Sequence, residues 1–195
     1  MSKMLSGRAR ATATGLILLA IAVFLAFCND NQAATQTPVM RGEYLVTAGG
    51  CADCHSPKNM TDKGPVEDIS RHLAGHPAEA GIPTVPDNVL SPDGWIAMTN
   101  IHSTAWAGPW GISFAPNITP DLKTGIGNWT VDEFINAMHN GKHQGYGRPI
   151  LPPMPWAAIG KLTDEDLRAV FAYLQSIPPV NNKAPDWIIG PPPKS

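Results

Sequence analysis

Cys51-Ala52-Asp53-Cys54-His55 constrains this chain more than any other stretch. Two thiols three positions apart lie on one face of a helical turn, and the next residue presents an imidazole beside them. C-x-x-C-H at this spacing is the attachment site of c-type haem: the thiols form thioethers with vinyl groups on adjacent rings, and the imidazole meets the iron from one side. Other readings compete. A thioredoxin-type dithiol wants a βαβ setting, which is not visible here. A disulfide between Cys51 and Cys54 closes a very small loop and gives His55 no role. A zinc site would have to recruit His139 and His143, yet 84 residues separate Cys54 from His139, where a finger expects about 12 to 15. Haem leads, with zinc and disulfide as the alternatives.

The composition agrees with a chain wrapped around an insert. Gly (18) and Pro (20) make up close to a fifth of the 195 residues, against a usual level of about 12%. That predicts loops and turns with few long elements. Six Trp, five Phe and three Tyr carry too much apolar surface for a disordered segment. The formal charge of −2 offers no basic footprint for nucleic acid, and three cysteines cannot build a multi-disulfide scaffold.

The first residues read as an address. Lys3, Arg8 and Arg10 form a positive front, and Ala11 to Phe27 then run without a charge, as in a secretory signal or an N-terminal membrane anchor. Three endings stay open. Leu25-Ala26-Phe27-Cys28 resembles a lipobox, in which Cys28 becomes lipidated; Ala33-Ala34 offers small residues for ordinary cleavage; or the segment remains as an anchor. All three predict export. That agrees with haem attachment, which takes place outside the cytoplasm. Without residues 1–28 the chain is mildly acidic.

Beyond the address, Arg41 to Thr47 is a short helix candidate that runs into Gly49-Gly50 and the cysteines. Residues 56–128 show almost no sustained period and read as a long structured insertion, with Trp95, Trp106, Trp110 and Phe114 suggesting that it packs. No strand run is convincing. Thr130 with Glu133 predicts a capping box, and Phe134, Ile135 and Met138 form an apolar face before Gly141 stops the helix. Thr163 with Asp166 repeats the start signal, Leu167, Val170, Phe171 and Leu174 continue at helical spacing, and Pro178-Pro179 ends it. A polar, extended tail closes on Pro191-Pro192-Pro193.

One C-x-x-C-H motif implies one covalent haem, and the sixth iron ligand decides what it does. Met40, Met60, Met98, Met138 and Met154 are the candidate methionines, and His72, His76, His102, His139 and His143 the remaining histidines. Met138 falls on the inner face of a helix and is expected in the core. Met154 differs: Pro152-Pro153-Met154-Pro155-Trp156 holds it in a stiff extended loop that cannot join a helix. It is the expected axial ligand, with His143 the runner-up and the other histidines expected as solvated loop residues.

From about Arg41 to Val180 the chain resembles the monohaem cytochrome c domains that occur as electron carriers and as cytochrome subunits of bacterial dehydrogenases. The resemblance rests on Gly42-Glu43-Tyr44-Leu45, the haem motif, Ala115 to Asp121, Thr124 to Trp129, Pro152 to Trp156 and Leu162 to Leu167. It implies an all-α fold of a few short helices around one haem, with the first and last helices crossing beside it and a long loop-rich insertion. It also implies that Cys51 and Cys54 bind haem c, that His55 is the proximal and Met154 the distal ligand, and that Gly42 and Tyr173 sit near the helix crossing. By the same resemblance the Asn117 and Trp129 blocks line the haem or its propionates. The insertion between His55 and Asn117 is a departure, and so is the single motif, since dehydrogenase subunits often carry several haems in tandem.

The resulting division is an N-terminal signal or anchor over 1–28, a linker over 29–39, a cytochrome c domain over 40–180 and a Pro-rich tail over 181–195. A haem held between His55 and Met154 has no open position for a substrate, so the expected role is outer-sphere electron transfer rather than catalysis. The partners would be redox proteins: a dehydrogenase or quinol oxidase as donor, an oxidase or another cytochrome as acceptor. The expected place is the periplasm, tethered to the membrane through the N-terminus. The alternative is a haem sensor or peroxidase with a labile distal Met154. A third reading is a bound subunit of a larger dehydrogenase, with the Trp-rich insertion as its docking face.

Overall fold

Thr37 is a helix N-cap. Its hydroxyl accepts the Met40 amide (3.2 Å) and Pro38 occupies the first turn, so helix α1 spans Pro38–Ala48, three residues earlier than its apolar pattern suggests. The computed structural model describes residues 36–190 except 83, 87–89 and 91–93. The signal or anchor at 1–28, most of the linker and Pro191 to Pro193 lie outside the described residues. Within them, no helix is long and apolar enough to cross a membrane.

Gly50, in the left-handed region at φ 64°, turns the chain from α1 into the short helix α2, Cys51–His55. Helix α3, Val131–Asn140, has the expected capping box: the Thr130 hydroxyl accepts the Glu133 amide, the Glu133 carboxylate accepts the Thr130 amide (2.8 Å), and left-handed Gly141 ends the helix. A single turn, α4, covers Trp156–Ile159. Helix α5, Asp164–Ser176, starts on Thr163 with Asp164, Glu165 and Asp166 against the positive end of the helix dipole. The main core gathers Val46 of α1, Phe134, Ile135, Ala137 and Met138 of α3, and Leu167, Val170 and Leu174 of α5, with Leu73 and Ile126 from the loops between. Each of these side chains larger than Ala137 contributes about 1.5–3 kcal/mol on burial. At the rim Arg41 of α1 grips Asp166 of α5 through two hydrogen bonds of 2.8 and 3.3 Å.

The insertion overturns the all-α expectation. Strands β1, Lys58–Thr61, and β2, Gly64–Glu67, form an antiparallel hairpin directly after the haem motif, with Lys58 opposite Glu67. A second, four-stranded antiparallel sheet runs in the order β3 (Met98–Thr99), β4 (Ala105–Gly108), β5 (Gly111–Phe114) and β6 (Ile188–Ile189). The strands escape a periodicity reading for a physical reason. They are two to four residues long, and all four residues of β5 are buried, so no apolar–polar alternation arises. This sheet has its own small core of Val85, Ala105, Ala107, Ile112 and Phe114. Trp106 and Trp110 are half-buried on it, whereas Trp95 is 71% exposed and does not pack. The expected extended tail joins the same sheet: Ile188 pairs with Ile112. Asn182 sews it to the insertion, its amide nitrogen donating to the carbonyls of Ala74 (2.7 Å) and His76 (2.8 Å) and its oxygen accepting from Ala78 N–H (2.9 Å).

Candidate haem site

Helix α2 carries Cys51, Cys54 and His55 on one short turn, and two features fix it. The Lys58 ammonium donates to the carbonyls of Ala52 and Ser56, both at 2.7 Å, placing a cation where the helix dipole is negative. Backbone bonds tie its end to the insertion: Gly75 N–H donates to the His55 carbonyl (2.6 Å), and the buried Ser56 hydroxyl accepts Leu73 N–H (2.8 Å). Both thiols are free and partly buried, and burial pushes each above its ordinary pKa.

His55 is buried, and its Nδ1 stands 2.9 Å from the Pro116 carbonyl. A carbonyl only accepts, so Nδ1 carries the proton and Nε2 keeps the lone pair that an iron needs. Burial lowers the pKa of the ring, outweighing the Pro116 bond, and holds the imidazole neutral. Pro116 is itself fixed by tight backbone packing: Gly75, at φ 81°, passes so close that a Cβ there would lie 2.5 Å from the Pro116 carbonyl carbon. Sequence reasoning required some acceptor for the second nitrogen of His55 but could not find Pro116, because the accepting group is backbone and carries no side-chain signal.

Met154 is half-buried and packs on the main core, as do Cys51, Ala52 and Trp129. Its loop is tied at several points. Ile150 N–H donates to the Gly141 carbonyl at the end of α3 (2.8 Å), Met154 N–H to the Leu151 carbonyl (3.3 Å), and the Ser113 hydroxyl to the Pro152 carbonyl (2.5 Å). The Trp156 indole covers Gly141, which has no side chain to displace it. Met138 lies in the core as expected, 8% exposed.

The other candidates fall apart as a set. His143 meets the Trp129 ring edge-on (4.8 Å), and burial with the nearby Arg148 charge lowers its pKa. His139 pairs with Asp164 (3.0 Å) and His102 donates to the Lys58 carbonyl (2.8 Å). Among the described residues no three His, Cys, Asp or Glu side chains gather as a metal site, which removes the zinc reading of Cys51, Cys54, His139 and His143. His76 departs from the solvated-loop expectation: it is fully buried, with Nδ1 2.9 Å from the Thr104 hydroxyl and its ring against Phe114. In the Asn117 block it is Pro116 that reaches the haem motif, while the Asn117 side chain is engaged elsewhere. It is 3% exposed with both ends of its amide consumed, the nitrogen by Thr124 Oγ1 and the Val180 and Asn182 carbonyls, the oxygen by the Thr119 amide and hydroxyl. It is a knot between the loop and the C-terminal segment, with no polar group left for a propionate.

The residues fit a covalent haem: two free thiols on one turn, a buried neutral imidazole aimed by a carbonyl, and a proline-bounded thioether on the apolar cluster that Cys51 borders. Comparison with known proteins agrees. The sequence model of the cytochrome c family matches residues 39–178. The chain is 30% identical over 84% of its length to the gluconate 2-dehydrogenase cytochrome c subunit of Pantoea cypripedii. It is 31% identical over 95% of its length to the cytochrome c subunit of the quinone alcohol dehydrogenase of Gluconobacter oxydans, and 33% over 78% to the fructose dehydrogenase cytochrome subunit of Gluconobacter japonicus. It spans 28%, 30% and 24% of those three relatives.

Proposed function

The chain belongs to the cytochrome c family, and from that premise we propose that it is an exported monohaem c-type cytochrome that carries single electrons from a dehydrogenase or quinol oxidase to a terminal acceptor. Cys51 and Cys54 hold the haem covalently, His55 is its proximal ligand and Met154 its distal one. The bound haem supplies a one-electron couple, and a thioether ligand raises its potential relative to a second imidazole. The chain's own residues do the rest. Pro116 fixes the ring orientation of His55, burial keeps that ring neutral, and the anchored Leu151–Pro155 loop keeps the thioether in one place.

The observation that supports this reading best is the hydrogen bond from His55 Nδ1 to Pro116 (2.9 Å), which leaves the lone pair of the other nitrogen available to an iron. The partner class follows from the relatives, whose names describe cytochrome subunits of gluconate, alcohol and fructose dehydrogenases. The basic, apolar N-terminus supports export to the periplasm and a membrane tether through an anchor or a lipid on Cys28. A sensor or peroxidase would need Met154 to leave the iron, and a loop tied to Gly141 and Ser113 opposes that.

Absorption spectra of the oxidised and reduced holoprotein, made with the haem-attachment machinery and recorded with and without carbon monoxide, test the assignment. A low-spin c-type spectrum indifferent to carbon monoxide is expected. A high-spin or carbon-monoxide-sensitive spectrum would return the protein to the sensor or peroxidase class. Co-purification from membranes under mild detergent separates a bound dehydrogenase subunit from a free carrier.

A further inference from the structure

We propose that Ser113 is a positioning residue for the axial methionine: through the Pro152 carbonyl it holds the Met154 loop, and so gives the inserted sheet a role in keeping that ligand in place. This rests on the reading of Met154 as the distal ligand.

A lone hydroxyl in strand β5, whose other residues are Gly111, Ile112 and Phe114, costs desolvation unless it is bonded. Ser113 is bonded on both sides. Its proton goes to the Pro152 carbonyl (2.5 Å) in preference to the longer Trp106 carbonyl (3.4 Å), since a hydroxyl has one proton to give. Its oxygen accepts the Trp110 indole N–H (3.2 Å). The Trp110 ring lies back across Gly108, where any Cβ would collide with it.

The Met154 loop needs an outside donor of this kind. Pro152, Pro153 and Pro155 have no amide hydrogen, so Met154 itself supplies the loop's one N–H between Leu151 and Trp156. The loop must therefore be anchored through its carbonyls. Ile150 and Trp156 fix its two ends against Gly141, and Ser113, 39 residues away in sequence, fixes its middle. Three residues beyond Ser113 the same segment presents the Pro116 carbonyl to His55. One stretch of the insertion thus bears on the supports of both iron ligands.

The test compares holoprotein variants Ser113→Ala, Ser113→Thr, Trp110→Phe and Met154→Ala by their spectra, midpoint potentials and rate of carbon monoxide capture by the reduced form. Capture by a methionine-ligated haem waits for the loop to open, so losing the hydroxyl should raise the rate about tenfold and lower the potential. Ser113→Thr should behave as wild type. Trp110→Phe, which keeps the bulk but removes the donor to Ser113, should shift the rate in the same direction by less, and it reports even if Ser113→Ala folds poorly. Wild-type rate and potential in Ser113→Ala, with Met154→Ala strongly altered, would overturn the positioning role and leave the ligand standing. Equal losses in Ser113→Thr and Ser113→Ala would overturn it too, since bulk rather than the hydroxyl would then matter. A Met154→Ala spectrum like wild type would overturn the ligand assignment, and this proposal with it.

Discussion

Gly42 on the first helix and Ala169 on the last lie so close that a Cβ at position 42 would enter the Ala169 carbonyl, with the Tyr173 Cβ only 2.8 Å away. Backbone packs on backbone at this crossing, which sets the distance between α1 and α5 and with it the shelf on which Cys51 and His55 begin. Gly42→Ala must push the helices apart, and overpacking of this kind costs about 1–3 kcal/mol. Gly81→Ala is the control: nothing lies within 4 Å of a Cβ there, and its effect should stay within about 0.5 kcal/mol. Thermal unfolding of the two variants checks the contrast, and equal stabilities would mean the crossing is looser than its geometry.

Asn117 should matter for folding rather than for the haem. Asn117→Ala strands the Asn182 carbonyl and leaves the Val180 carbonyl and the Thr119 hydroxyl proton with only a long bond to each other (3.5 Å), a loss of about 1–3 kcal/mol. Denaturant unfolding should register it while the visible spectrum of the folded fraction stays the same. A spectral shift without a stability loss would return Asn117 to the haem pocket.

What the sequence made legible is what local chemistry dictates. The Thr130–Glu133 box and the Thr163 cap put α3 and α5 where the pattern placed them, and Met138 was core for the same periodic reason. The haem motif needed only five adjacent residues. The sheets were not legible, because β5 is buried throughout and β3 and β6 are two residues each, β6 held by long-range pairing between residues 111–112 and 188–189. The supports of the site were equally hidden. Pro116 acts through a carbonyl, Gly75 through the absence of a side chain, and Ser113 through a contact across 39 residues.

His76, like His143, makes acid stability measurable in a window above that of the carboxylates. Burial is the main cause that lowers its pKa below 6.5. Above that value neither state is protonated. Below it the unfolded chain takes a proton that the folded protein refuses, so stability falls as pH falls, by up to about 1.4 kcal/mol per pH unit. The carboxylates Asp68, Asp121 and Asp166, lowered by their hydrogen bonds, contribute stability that is lost only beneath their ordinary value of 3.8. Urea unfolding of the holoprotein at pH 7 and pH 5 should therefore show a larger drop in wild type than in His76→Gln. Parallel slopes would mean that His76 takes a proton in place.

Two methionines allow a direct separation of packing from ligation. Met138 is a buried part of the main core, and Met138→Ala opens a cavity there, costing about 2–5 kcal/mol. Its iron spectrum should be unchanged. Met154 lies at the edge of the same cluster, half-exposed in a loop between prolines, so its removal opens less of a cavity. Met154→Ala should nonetheless lose the low-spin spectrum, bind carbon monoxide and fall in midpoint potential. Unfolding curves and spectra taken on the same two samples should thus give opposite rankings. If Met138→Ala changes the spectrum and Met154→Ala does not, the distal ligand comes from α3 and the proline-bounded loop is only a cover.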